Sequence, residues 1–320
     1  MAQQVVGRFA PTPSGQLHLG NLFCSLIAWL AAKSQGGKIL LRSEDLDVER
    51  SRPEYALQAQ RDLEALGLFW DEGGDCSGPH APYDQSQRFP FYRTQLERLE
   101  NQGLVYPCFC SRAQLHAASA PHASDGETIY AGTCRGLSPQ EVAERSKTRA
   151  PALRLQVPEE TIAFTDLHYG PQQQYLPTGC GDFILRRSDG VYAYQLAVVA
   201  DDGAMGVTQV VRGRDLLSST PRQILLYRLL GWPVPEFGHT PLLLAPGGRR
   251  LSKRDGDQCL SGLLEKGLTP RDVVGRLAFL AGLVEEPCPI TPEELLPRFS
   301  WDKLPQEDVV VPAGLFPGIG

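Results

Sequence analysis

Apolar positions along the chain switch between two periods, and the switching predicts the elements. Leu19, Leu22, Phe23, Leu26, Ile27 and Leu30 recur at i, i+3, i+4, i+7, i+8 and i+11, the apolar face of an amphipathic helix. Before it, residues 4–9 (QVVGRF) predict a short strand, broken by Pro11-Thr12-Pro13-Ser14-Gly15. After it, Gly36-Gly37 predicts a stop, and Lys38-Ile39-Leu40-Leu41-Arg42 a buried strand. A helix is expected over 53–66, with Pro53 in its first turn and Gly67 past its end, and another over 86–101. Strand, helix, strand, helix is the order of a parallel sheet with crossover helices.

From residue 108 the periodicity weakens, and 108–150 reads as an inserted subdomain. Residues 152–155, 182–185 and 191–194 predict strands, with Ser188-Asp189-Gly190 turning between the last two. Residues 206–212 predict a further strand, followed by a helix from Pro221 to Leu230. A glycine- and arginine-rich loop spans 247–256, and the remainder reads as short helices with an irregular tail. The fold class implied is α/β, a Rossmann-like parallel sheet. Its expected divisions are 1–107 (first half of the catalytic domain), 108–150 (insertion), 151–240 (rest of the insertion and second half) and 241–320 (basic loop and short helical tail).

Composition narrows the class. The 320 residues are 42% hydrophobic and 21% charged, which excludes a disordered or collagen-like chain. No apolar run approaches the ~20 residues of a membrane span, and no basic-then-apolar leader is visible. Thirty-one Lys and Arg against 37 Asp and Glu give a net charge of −6. That excludes an all-round basic coat but allows a local phosphate-binding surface. Eight cysteines without a secreted scaffold's density point to a reducing, cytoplasmic setting. Cys24 reads as helix packing.

Three groups of residues carry candidate chemistry. The first runs from Arg8 to Asn21 and places His18 and Gly20 at a helix start, where unpaired N–H groups and the dipole favour phosphate. The second is Arg249-Arg250-Leu251-Ser252-Lys253-Arg254, a basic loop able to close over a triphosphate. The third is Cys108, Cys110 and Cys134, three thiols that suggest zinc with a fourth ligand to be supplied, His116 and His122 being the ordinary candidates. Such a metal would organise a segment poor in apolar residues. Asp201 and Asp202 stay open between RNA contact, magnesium binding and a strand end.

The first two groups resemble the HIGH and KMSKS elements of class I aminoacyl-tRNA synthetases. Arg8–Gly15, Arg42–Asp47, Tyr194–Asp202 and Val211–Gln223 resemble the glutamyl branch. Asn21 stands where HIGH has its second histidine, and Leu251 and Arg254 depart from KMSKS. The resemblance implies that His18 and Lys253 are catalytic and that His18, Gly20, Asn21, Ser252 and Lys253 bind ATP, with Mg2+. It implies glutamate binding by Arg8, Ala10, Thr12, Glu44, Tyr194 and Arg212, with Glu44 accepting from the α-ammonium group and the arginines forking carboxylates. It also implies Tyr130 as the fourth zinc ligand, completing a structural Cys108, Cys110, Tyr130, Cys134 site.

Only 67 residues follow Lys253, short of the ~100–150 of an independent domain. A helical anticodon-binding domain is therefore not expected, and the chain resembles the shortened glutamyl-Q tRNA(Asp) synthetases. That resemblance implies ATP-dependent activation of L-glutamate and its transfer to queuosine in the anticodon stem-loop of tRNA(Asp). It also implies a monomer with no membrane partner. The alternatives are a truncated glutamyl-tRNA synthetase charging tRNA(Glu) and a catalytically silent zinc-bearing RNA-binding paralogue.

Overall fold

The computed structural model describes residues 4–111, 129–249, 251 and 259–318. β1 (Val6–Phe9) pairs in parallel with β2 (Lys38–Leu41), Arg8 lying opposite Leu40, and β3 (Glu72–Gly73) extends this sheet on the far side of β2. On its other edge β1 lies beside β9 (Gln209–Gly213). There the Thr208 N–H donates to the Val6 carbonyl at 2.9 Å, and Thr208 Oγ1 accepts from the Val6 N–H at 2.8 Å. β9 pairs in parallel with β10 (Glu236–Thr240), β10 with β6 (Thr161–Asp166), and β7 (Gly170–Tyr175) closes the edge antiparallel to β6. Strand order therefore reverses direction between β1 and β9. In an open parallel sheet the carboxyl ends of the strands at such a reversal border a crevice where ligands bind.

The crossover from β1 to β2 is α1 (Leu19–Lys33), the helix expected from the apolar spacing. Its stripe is buried, as are Ala28, Trp29, Ala31 and Ala32. It starts where His18 caps it: the side chain accepts from the Gly20 N–H, and Asn21 returns a bond to the His18 N–H. It ends at Lys33, and the chain turns to β2 through Gly36, which has φ +68°, and Gly37, where a Cβ would sit 2.6 Å from the Val5 carbonyl oxygen. α2 (Pro53–Ala65) and α3 (Phe89–Asn101) follow. Along β2 the pleat sends Ile39 and Leu41 into the core with α1, and Leu40 into a second core with α3 and the Tyr194–Ala204 and Thr220–Leu230 helices.

A separate antiparallel sheet, β4 (Val105–Cys108), β5 (Ala152–Leu155) and β8 (Phe183–Arg186), joins the start and end of the inserted region. β11 (Leu243–Leu244) and β12 (Val309–Val310) tie the tail back to the sheet side. Among the described residues no helix is long and apolar enough to cross a membrane.

Three local readings differ from this fold. The 191–194 segment is not a strand: Tyr192 makes one bridge to Arg186 and Tyr194 begins a helix, because the apolar residues from Leu196 onward need a helical face. Asp201 and Asp202 accordingly lie inside that helix rather than at a strand end. The expected helix over 86–101 begins as a single turn, Gln85–Gln87, and restarts at Phe89. Pro90 explains the break: it has no N–H to bond back to the Ser86 carbonyl, so it fits only in the first turn of a new helix, where it sits. The β6–β7 hairpin was not expected at all; PQQQY carries little β-propensity, and the strand exists through pairing with β6.

Leu26 is fully buried in α1. Leu26→Ala is expected to lower stability by about 2–5 kcal/mol, read as a shift of the urea midpoint with an unchanged slope.

Candidate active site

A cleft of about 550 Å³ opens at the reversal between β1 and β9. It is lined by Arg8, Ala10 and Thr12 from the end of β1 and its loop, His18 and Asn21 from the start of α1, Glu44 beyond β2, Tyr194, and Arg212 from β9. Eight side chains singled out from the sequence thus meet in one place, although 204 positions separate Arg8 from Arg212. Gly20 is adjacent rather than lining; its N–H bonds to His18 Nδ1 at 3.1 Å, and a Cβ there would meet the His18 ring at 3.1 Å. Ser252 and Lys253 lie outside the described residues.

The cap on α1 orients His18. Because Nδ1 accepts a hydrogen bond, the neutral ring carries its proton on Nε2. The N–H groups of Gly20, Asn21 and Leu22 already bond His18, so what the 15-residue helix offers an anion here is the positive end of its dipole. Cys24, one turn further on, also lines the cleft; burial pushes its thiol up to about 11, so it stays protonated.

Behind the cleft lies a buried charge lattice. Arg42, fully buried, donates to Asp202 at 2.7 Å and Glu44 at 3.0 Å, and its Nε is 3.7 Å from Asp201. Arg88 donates to Asp201 at 2.6 Å, and Gln85 and Tyr92 each bond the same carboxylate at 2.8 Å. Arg8 Nε stands 3.7 Å from Asp202, while its Nη1 donates to the Val211 carbonyl at 2.7 Å. Burial tends to lower the Arg42 pKa, but Asp202, Asp201 and Glu44 together raise it well above its usual value. Burial raises Glu44 against the pull of Arg42 and Arg8. Asp201 and Asp202 are therefore internal counter-ions that hold Arg42, Arg88 and Arg8.

The two cleft arginines differ in what they have left to offer. Arg212 donates from Nε to His239 Nε2 at 3.0 Å, from Nη1 to Gln223 at 2.6 Å, and from Nη2 to Thr220 at 2.9 Å and the Leu216 carbonyl at 3.2 Å. All these acceptors are neutral, and among the described residues no carboxylate pairs with Arg212; burial lowers its pKa. One of its five N–H groups remains for a ligand. Arg8 Nη2 makes no hydrogen bond among the described residues, which leaves both its N–H groups for a ligand. Burial raises the Tyr194 pKa, which keeps its hydroxyl a donor.

The cysteine group also assembles. The Sγ atoms of Cys108, Cys110 and Cys134 lie within 4.8 Å of one another, with Cys110 and Cys134 at 3.7 Å. The Tyr130 hydroxyl oxygen is 3.5 Å from Cys108 Sγ, 3.7 Å from Cys110 Sγ, and accepts from the Cys134 N–H at 2.7 Å. His116 and His122 lie outside the described residues. Zn–S bonds of about 2.3 Å and a Zn–O bond of about 2.0 Å in a tetrahedron require S···S edges near 3.8 Å and S···O edges near 3.5 Å. The Cys110–Cys134 and tyrosine–thiol separations match these edges, so the residues fit a zinc ion.

Sequence reading named Arg42 only as part of a motif, although an arginine closing an apolar strand run is a usable signal for a buried ion pair. It named Gln223 only as the end of a motif and missed His239 and Asp166 altogether, which nothing in the surrounding residues marks.

Residues 4–286 match the family model described as tRNA synthetases class I (E and Q), catalytic domain. A protein of Symbiobacterium thermophilum named glutamyl-Q tRNA(Asp) synthetase is 57% identical over 310 residues, 96% of each chain. A protein of the same organism named glutamate–tRNA ligase is 40% identical over 93% of this chain and 63% of its own. The crystal structure of a glutamate tRNA ligase from Elizabethkingia meningosepticum in complex with its amino acid superposes with a TM-score of 0.83 at 30% identity, covering 98% of this chain and 68% of that one.

Arg42→Met removes one buried cation from three carboxylates with little change in volume. It is expected to cost about 3–5 kcal/mol in urea unfolding, because uncompensated charge stays buried.

Proposed function

The chain belongs to the class I tRNA synthetase family of glutamate and glutamine enzymes, and from that membership we propose that it activates L-glutamate with ATP and transfers the glutamyl group to queuosine in the anticodon loop of tRNA(Asp). One observation carries the amino-acid half of this reading. The cleft presents two guanidinium groups and one carboxylate, Arg8, Arg212 and Glu44, the charge complement of glutamate's two carboxylates and one ammonium group. A relative matched over 96% of both chains supports the RNA half through its name.

In the proposed reaction a glutamate carboxylate oxygen bonds the α-phosphorus of ATP and the bond to pyrophosphate breaks. The chain's work is positioning and stabilising charge. Arg8 forks a carboxylate, Arg212 adds its one remaining N–H, Glu44 accepts from the ammonium group, and the Tyr194 hydroxyl donates. Ala10 and Thr12 border the same ligand. His18 donates from Nε2 toward the phosphates, with Gly20 and Asn21 shaping the helix start; Ser252 and Lys253 complete the phosphate contacts, and Mg2+ accompanies ATP. Cys108, Cys110, Tyr130 and Cys134 would hold a structural zinc that shapes the inserted region, 108–150, as part of the RNA-receiving surface. The remaining divisions of the chain and its action as a cytoplasmic monomer belong to the same proposal.

Glutamate-dependent ATP–pyrophosphate exchange is expected without any tRNA. Labelled glutamate should enter tRNA(Asp) containing queuosine, and neither tRNA(Asp) lacking it nor tRNA(Glu); efficient charging of tRNA(Glu) would refute the assignment. Arg8→Ala removes a charged hydrogen-bonding partner worth about 1.5–3 kcal/mol, which should raise the KM for glutamate about 10- to 150-fold in the exchange assay. Metal analysis should find stoichiometric zinc that Cys134→Ser abolishes.

A further inference from the structure

Arg212 is held in place by a second buried pair. β9 and β10 run in parallel with His239 directly opposite Arg212, and β10 meets β6 with Phe237 opposite Asp166. This register brings Asp166, His239 and Arg212 side by side, with His239 and Asp166 shielded from solvent. Arg212 Nε donates to His239 Nε2 at 3.0 Å, and His239 Nδ1 lies 2.6 Å from Asp166 Oδ2. Phe237 lies under the guanidinium, its ring centroid 5.4 Å away.

We propose that Asp166 and His239 form a positioning relay, in which the carboxylate keeps the imidazole in its Nδ1–H form so that Nε2 can accept from Arg212 and aim that arginine's remaining N–H into the glutamate subsite. The inference rests on the reading of the cleft as a glutamate site. A protonated His239 would set N–H against N–H and push the guanidinium away. The groups facing His239 are Asp166 on β6, Arg212 on β9 and, more remotely, Arg8 on β1. Burial dominates and, with the two arginines, outweighs Asp166, so the His239 pKa falls to about 4. For Asp166, burial is outweighed by the hydrogen bond and charge of His239 and by the backbone N–H groups of Tyr169 and His168, which hold it below the usual carboxylate range. Those two N–H bonds, at 2.9 and 3.0 Å, fasten the relay to the β6–β7 turn. The His168 ring in turn meets the carbonyls of Trp301 and Pro305.

The relay makes His239 and Asp166 positioning residues whose loss is felt by glutamate and not by ATP. His239→Leu removes the acceptor and is expected to raise the KM for glutamate tenfold or more in pyrophosphate exchange, with the KM for ATP within twofold. His239→Gln keeps an acceptor at the same reach and should recover most of the loss. A merely structural role predicts that both KM values and the melting temperature move together in both variants, which would overturn the proposal. Nitrogen-15 spectra of histidine in the unmodified protein give a readout free of any variant. They should show His239 neutral, protonated on Nδ1, from pH 8 down to pH 5; an Nε2–H form or a titration near 6.5 would refute the relay. Absence of glutamate-dependent exchange in the unmodified protein would instead remove the glutamate reading, and the spectra would still decide the relay's geometry.

Discussion

Arg42 is the group on which the rest depends. A fully buried guanidinium is tolerated only when counter-charges surround it, and here Asp201, Asp202 and Glu44 do so at 2.7 to 3.7 Å. The same carboxylates reach outward, Asp201 to Arg88 and Asp202 toward Arg8. Each ion is thereby held by neighbours that are themselves held. The cleft's carboxylate and one of its two cations are set by this lattice rather than by loops free to drift, which is what a site that works by orientation requires.

The other cation, Arg212, is treated differently. It has neutral acceptors on every side and no carboxylate partner among the described residues, so its positive charge stays uncompensated at the cleft. Partnering Arg42 and Arg8 while leaving Arg212 without an anion creates a place where an incoming carboxylate gains most. α1 joins this electrostatic design to the hydrophobic one. Its apolar stripe anchors it in the core, and its capped first turn delivers His18 to the same cleft as the arginines.

Much of the first half of the fold was legible because its elements follow local rules. The stripe from Leu19 to Leu30, the Gly36-Gly37 stop and the Ile39–Leu41 run all correspond to elements that form where the pattern predicts. The β6–β7 hairpin and the helix beginning at Tyr194 did not reveal themselves, since the first depends on pairing partners and the second on which face a neighbouring core offers. Arg8, Glu44, Tyr194 and Arg212 were legible as a set only through their resemblance to a family. Taken singly, each is an ordinary polar residue near a strand.

The chain's own pattern determined the parallel α/β class, the helix start at His18 and the three thiols that gather in one cluster. These are consequences of short-range periodicity, capping and spacing. Tertiary structure decided that Asp201 and Asp202 are counter-ions, that Arg8 keeps Nη2 without a partner among the described residues, and that His239 and Asp166 stand behind Arg212. Those outcomes depend on strand register and on the reversal of strand order between β1 and β9. Both are settled by long-range packing, which brings Arg8 and Arg212, 204 positions apart in chain order, into one cleft.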